Sequence, residues 1–195
     1  MLARLQAGLV FTALGAALLW SAWAWQQGLG PAAWLAGLAL ALAPHAPVLA
    51  LEFGLLAWLG RDIRAPRADA GQLLRAWAGE VATGWQVFGW RQPFAADREA
   101  DLPGQAGQTA VLLLHGYVCN RGLWAPWLRR LRQAGVPCQA LTLAPVFGRI
   151  ETWAPQIEAA VAALHRQTGR PPLLVGHSMG GRALRTWLAA QPDAA

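Results

Sequence analysis

No charged side chain occurs between Leu5 and Leu51, and Glu52 is the only one before Arg61. The stretch divides into two apolar runs, roughly Leu5 to Trp25 and Ala32 to Leu59. Either can cross a hydrocarbon core ~30 Å thick, which takes about 20 helical residues. Between them, Gln26-Gln27-Gly28-Leu29-Gly30-Pro31 is dense in helix breakers and reads as a turn. The expectation is a transmembrane helical hairpin over residues 1–60. Trp20, Trp23, Trp25 and Trp34 cluster around the turn and Trp58 marks the opposite end, as indole rings do at the headgroup level. Arg4 precedes the first run, and Arg61, Arg64 and Arg67 follow the second, so the positive-inside rule puts both ends in the cytoplasm.

Ala22-Trp23-Ala24 has the small-x-small form of a leader cleavage site, but the second long run favours a retained hairpin over a cleaved leader or a buried soluble hairpin. Pro44, His45, Pro47 and Glu52 are unusual inside a membrane helix. The preferred reading is that the prolines kink the helix and that Glu52 lies near its end, where it can snorkel or pair with Arg61.

This apolar third explains the bulk composition, 55% hydrophobic and only 13% charged against the ~25% usual for a soluble domain. All 16 basic residues are Arg, giving a net charge of +6. They are spread along the chain without a basic stripe or a recognition motif, which excludes a nucleic-acid partner. Two cysteines are too few for a disulfide scaffold, and Cys119 and Cys138 read as small buried apolar residues.

Residues 61–108 read as a linker and amphipathic segment. Gly71 to Val87 is expected to be a helix with Leu73, Leu74, Trp77 and Val81 on one side, followed by a short strand or interfacial segment over Trp85 to Phe94. Asp97 to Gln108 reads as loop. From residue 109 to 195 the pattern becomes regular, with no internal repeat. Strands are expected at Thr109–Leu114, Cys138–Leu143 and Pro172–Val175, and helices at Leu123–Gln133, Thr152–Thr168 and Arg182–Ala190. Strict alternation implies an α/β fold, with parallel strands joined by crossover helices.

The third strand runs directly into Gly176-His177-Ser178-Met179-Gly180-Gly181, which is G-x-S-x-G between a strand and a helix. In that context the turn lifts the Ser178 hydroxyl above the sheet as a nucleophile. Gly176 and Gly180 avoid clashes, Gly181 lets the helix pack closely, and the helix N-terminus favours negative charge. The Met179 N–H is one expected oxyanion donor. The other is expected from the loop after the first strand, Leu114-His115-Gly116-Tyr117, with the Tyr117 N–H as donor and Val118 as fallback. His115 is read as holding that loop and His177, beside the nucleophile, as packing or tuning the pocket; no metal site is expected.

From about Thr109 to Leu188 the chain resembles the α/β-hydrolase superfamily, in particular bacterial lipases and esterases with a strand–His-Gly motif and a Gly-His-Ser-Met-Gly-Gly elbow. The resemblance implies carboxylic-ester hydrolysis by a Ser-His-Asp/Glu triad without a cofactor. It implies an ester or acyl-lipid substrate and, with the hairpin, a bilayer partner. The corresponding location is the bacterial inner (cytoplasmic) membrane, multi-pass, with the hydrolase domain in the cytoplasm. The pattern departs from the family after Ser178, where no His follows and Asp193 is the sole acid. His45 and His165 lie in the hairpin and on a helix and offer no substitute base. The expectation is therefore an incomplete α/β-hydrolase fold, truncated before its acid and base and poorly active by itself. The rival readings are an acyltransferase or thioesterase of the same fold, and a membrane scaffold with a degenerate hydrolase domain.

Overall fold

The computed structural model describes residues 1–60 and 67–191. Arg61 and Arg64, used above for orientation, and Asp193 lie outside the described residues. The chain divides into two compact units, one comprising Gln6–Trp90 and the other Met1–Leu5 with Arg91–Ala195.

The first unit is helical. Helix α1 (Leu2–Gln26) is the one described helix that is by itself long and apolar enough to cross a membrane. The second apolar run is not one helix. It forms α2 (Pro31–Leu42) and α3 (His45–Leu59), bent by 85° at the break, and the two pass the same test only as a pair. The cause is local. A proline disfavours helical geometry at the residue before it, and Ala43 sits at φ −131°, ψ 59°, ahead of Pro44. Pro47 falls in the first turn of α3, where its missing N–H breaks no helical bond.

Trp20 ties α1 to α2, donating from Nε1 to the Trp34 carbonyl at 3.0 Å, with its indole against Gly37. Helix α4 (Ala70–Gly84) opens with a capping box, in which the Asp69 carboxylate accepts from the Gln72 N–H and the Gln72 side chain accepts from the Asp69 N–H. It packs on α3 through Trp77, whose Nε1 donates to the Ala46 carbonyl at 2.8 Å, and through the His45 ring, 3.3 Å from the Val81 carbonyl. Leu73, Trp77 and Val81 share that half-buried face, whereas Leu74 is 62% exposed and lies off it. Glu52 is exposed on α3, and its suggested partner Arg61 lies outside the described residues.

The stretch read as a strand or interfacial segment is helical: a π-helical segment at Trp85–Arg91 followed by α5 (Gln92–Phe94). Gly89 admits the Trp85 indole one turn away, a contact any side chain there would block.

The second unit is built on a parallel three-stranded sheet in the order β2-β1-β3: β1 (Val111–Leu114), β2 (Cys138–Leu141) and β3 (Leu173–Gly176). Val111 is in register with Cys138 on one side and with Leu173 on the other. The four β1 residues are all buried, as a central parallel strand requires. Helices α6 (Ala125–Gln133), α7 (Ala154–Thr168) and α8 (Met179–Ala189) complete the alternation, and short 3-10 turns at Arg121–Trp124 and Ile150–Trp153 lead into α6 and α7.

The helices divide between the two faces of the sheet. Val111 and Leu113 pack with Cys138, Ala140, Trp124 and Leu128 of α6. Leu112 and Leu114 pack on the opposite face with Ile157 and Leu164 of α7 and Leu184 and Trp187 of α8. The segment before β1 is part of this unit. Leu102 forms an antiparallel bridge with Cys138 along the outer side of β2. Glu99 accepts from Arg129 at 2.7 Å and Arg132 at 3.1 Å. Arg121 reaches Asp101 at 2.5 Å, Asp97 at 3.4 Å and the Ala140 carbonyl at 3.1 Å.

Candidate active site

Strand order alone locates a crevice. After β1 the chain crosses to the α6 face; after β3 it crosses to the opposite face, where α8 packs. Since β1 and β3 are neighbours, their C-terminal loops part company and leave an opening between them, the place where open parallel sheets bind ligands. Gly116 and Ser178 face each other there.

Ser178 joins β3 directly to α8 with φ 52° and ψ −117°, outside the regions open to most side chains. Its side chain is exposed, and among the described residues its hydroxyl has no hydrogen-bond partner. The flanking glycines explain how so sharp a turn closes. A Cβ on Gly176 would lie 2.6 Å from the Gly181 nitrogen, and one on Gly180 would lie 2.5 Å from both the Leu114 and His115 carbonyl oxygens. At Gly181 the nearest atom is 3.4 Å away, an ordinary contact. The tight approach of α8 to the sheet is therefore made at Gly180, not at Gly181.

Helix α8 begins at Met179, and the Gly181 N–H turns back to the Ser178 carbonyl at 3.0 Å, so the positive end of the helix lies at the Ser178 turn. Among the described residues neither the Met179 nor the Tyr117 N–H has a partner, while the Gly180 N–H donates to the His177 carbonyl at 2.9 Å. The two backbone donors singled out in the sequence are thus both open, on loops that touch. A Cβ at Gly116 would stand 3.3 Å from Ser178 Cβ and 3.0 Å from His177 Nδ1. His177 is exposed beside Ser178, and its backbone N–H extends the β3–β1 pairing to the Leu114 carbonyl at 2.9 Å.

His115 is 2% exposed. Its Nε2 accepts the Leu143 N–H at 2.9 Å, so the ring proton sits on Nδ1 and is donated to the Gly116 carbonyl at 2.8 Å. Burial lowers its pKa below the ordinary 6.5, against a smaller upward pull from the Gly116 hydrogen bond. The neutral ring thereby pins the loop after β1 to the loop after β2. Burial also raises both thiols, Cys119 and Cys138, which keeps them protonated and inert. His165 is exposed on α7, and His45 packs against α4 within the helical unit. No cluster of metal-ligating side chains occurs among the described residues.

Two features escape sequence reasoning. Val118 has φ 54° and, with Ser178, is one of two non-glycine residues at positive φ among those described. For a β-branched side chain that conformation is strained, and such strain concentrates at functional sites. Val118 carried no signal beyond its place after Gly116-Tyr117. The second feature is Phe147, exposed on the loop after β2 with its ring edge-to-face to Tyr117. Its signal was an aromatic in a Pro-x-Phe-Gly turn following a strand.

No curated protein and no solved structure matches the chain. Residues 111–195, which hold the whole sheet and both loops of the crevice, match the model of the alpha/beta hydrolase family.

Proposed function

We propose that the protein is a membrane-anchored serine hydrolase of the esterase or lipase type, acting on carboxylic esters. The observation that carries this reading is Ser178, exposed at a strained strand-to-helix junction, with the unpartnered N–H of Met179 next to it in the chain and that of Tyr117 on the loop whose Gly116 borders it. In the proposed reaction the Ser178 hydroxyl attacks the ester carbonyl carbon while a general base takes its proton. The carbonyl oxygen becomes an oxyanion held by the Met179 and Tyr117 N–H groups. Collapse expels the alcohol, which takes the proton back from the base, and water then cleaves the acyl-Ser178 ester by the reverse path. Anchoring rests on α1, with the α2–α3 pair as the second candidate span, and on the basic residues flanking them.

Among the described residues no side chain hydrogen-bonds the Ser178 hydroxyl, and the test uses the protein in its native membrane. Expected results are retention in the membrane pellet after alkaline carbonate washing, covalent fluorophosphonate labelling at Ser178, and p-nitrophenyl ester turnover. Ser178→Ala should lower that turnover at least about a thousandfold. Turnover that requires an added alcohol or thiol acceptor marks acyl transfer instead. Labelling and turnover both absent from the whole gene product sink the catalytic reading and leave the scaffold.

A further inference from the structure

The loops leaving β1 and β2 each place one large aromatic in solvent at the end of the sheet that holds Ser178. Tyr117 is 49% and Phe147 55% exposed, and their rings meet edge to face with centroids 6.1 Å apart. Tyr117 follows Gly116, where a Cβ would stand 3.3 Å from Ser178 Cβ, so the loop that carries the first ring of the pair borders the nucleophile's turn. An edge-to-face ring pair that is about half exposed suits contact with a further apolar group.

The Phe147 loop is held at several points. The Leu143 N–H donates to His115 at 2.9 Å. The Gln156 side chain accepts from the Ala144 N–H at 3.0 Å and donates to the Ala144 carbonyl. The Pro145 carbonyl accepts from Trp153 Nε1 and from the Gly148 N–H, each at 3.0 Å. Trp153 itself is 2% exposed and forms part of the core under the sheet. A segment tied this way needs little further ordering to bind, and the apolar ring area it leaves in water is a favourable surface to cover. The charge closest in sequence, Arg149, is paired with Glu151 at 3.4 Å.

We infer that Tyr117 and Phe147 form the wall that receives the aliphatic acyl chain of the ester, making the site selective for extended acyl groups over acetyl. This rests on the hydrolase reading above for its substrate class, but the wall itself is testable separately. In whole protein held in amphipol, the ratio of kcat/KM for p-nitrophenyl octanoate to that for p-nitrophenyl acetate should fall roughly tenfold in Phe147→Ala, about 1.4 kcal/mol. Phe147→Leu should keep most of the preference.

In parallel, methyl 8,8,8-trifluorooctanoate is titrated into Ser178→Ala protein and followed by fluorine NMR. Line broadening is expected with Ser178→Ala and is expected to vanish when Phe147→Ala is added. Broadening that persists in the double variant, or an unchanged octanoate-to-acetate ratio in Phe147→Ala, overturns the inference. Turnover that survives Ser178→Ala overturns the hydrolase reading instead, and the NMR arm still decides for or against the wall.

Discussion

His115 shows how much one buried ring can organise. It is neutral because charging it inside the protein means losing hydration, and its two ring nitrogens join two loops that sequence separates by a helix. The folded protein holds this proton more weakly than the unfolded chain does. Its contribution is therefore complete above pH 6.5 and declines as pH falls from there towards the lowered folded pKa. Pulse proteolysis in urea should show the crevice unit losing stability between pH 7.5 and pH 5, with a shallower dependence in His115→Asn. The same measurement separates two neighbouring glycines. Gly180→Ala drives a methyl into two backbone carbonyls that cannot yield and should cost about 3 kcal/mol. Gly181→Ala meets only an ordinary contact inside a helix and should be neutral or stabilising by about 0.5 kcal/mol.

At the scale of elements, what the sequence made legible follows the periodicity of its side chains. The three strands and the helices α6, α7 and α8 were readable because uninterrupted apolar runs alternate with one-sided amphipathic ones. Their ends shifted by a few residues where 3-10 turns lead into α6 and α7. The break between α2 and α3 was half legible: Pro44 announced a disturbance, but an 85° bend depends on how Ala43 resolves its clash. The docking of the segment before β1 could not be read, because it depends on polar partners far apart in sequence. Arg121 is the centre of it, with a side chain only 13% exposed spanning Asp97, Asp101 and the Ala140 carbonyl. Arg121→Ala should cost about 2 kcal/mol by the same assay, since the Ala140 carbonyl and Asp101 lose a charge-assisted donor. Arg121→Lys should recover little of this, because an ammonium cannot reproduce the planar fork. Of the crevice, the Ser178 turn and the His115-Gly116-Tyr117 loop were legible as motifs. Phe147 and the strain at Val118 were not, because they exist only once the loops are folded together.

For the molecule as a whole, the sequence separates an almost uncharged helical part from an α/β part, and the structure separates Gln6–Trp90 from the unit containing Arg91–Ala195. The strand order has a consequence for how the second unit assembles. Pairing β1 with β2 closes the chain between Val111 and Cys138, whereas pairing β1 with β3 must close it between Val111 and Leu173. By loop-closure entropy alone the longer closure is disfavoured by roughly 0.7 kcal/mol. The β1–β2 seam is thus favoured to zip first, and the seam that brings Gly116 to Ser178 follows once α6, β2 and α7 are in place. On reopening the order reverses, because β3 is also the strand whose first residue, Leu173, is 58% exposed. Hydrogen exchange should accordingly be faster at the β3 amides than at β2 amides of the same sheet, and equal protection of the two would contradict this order. The crevice beside Ser178 is then the last joint made in this unit and the first to breathe.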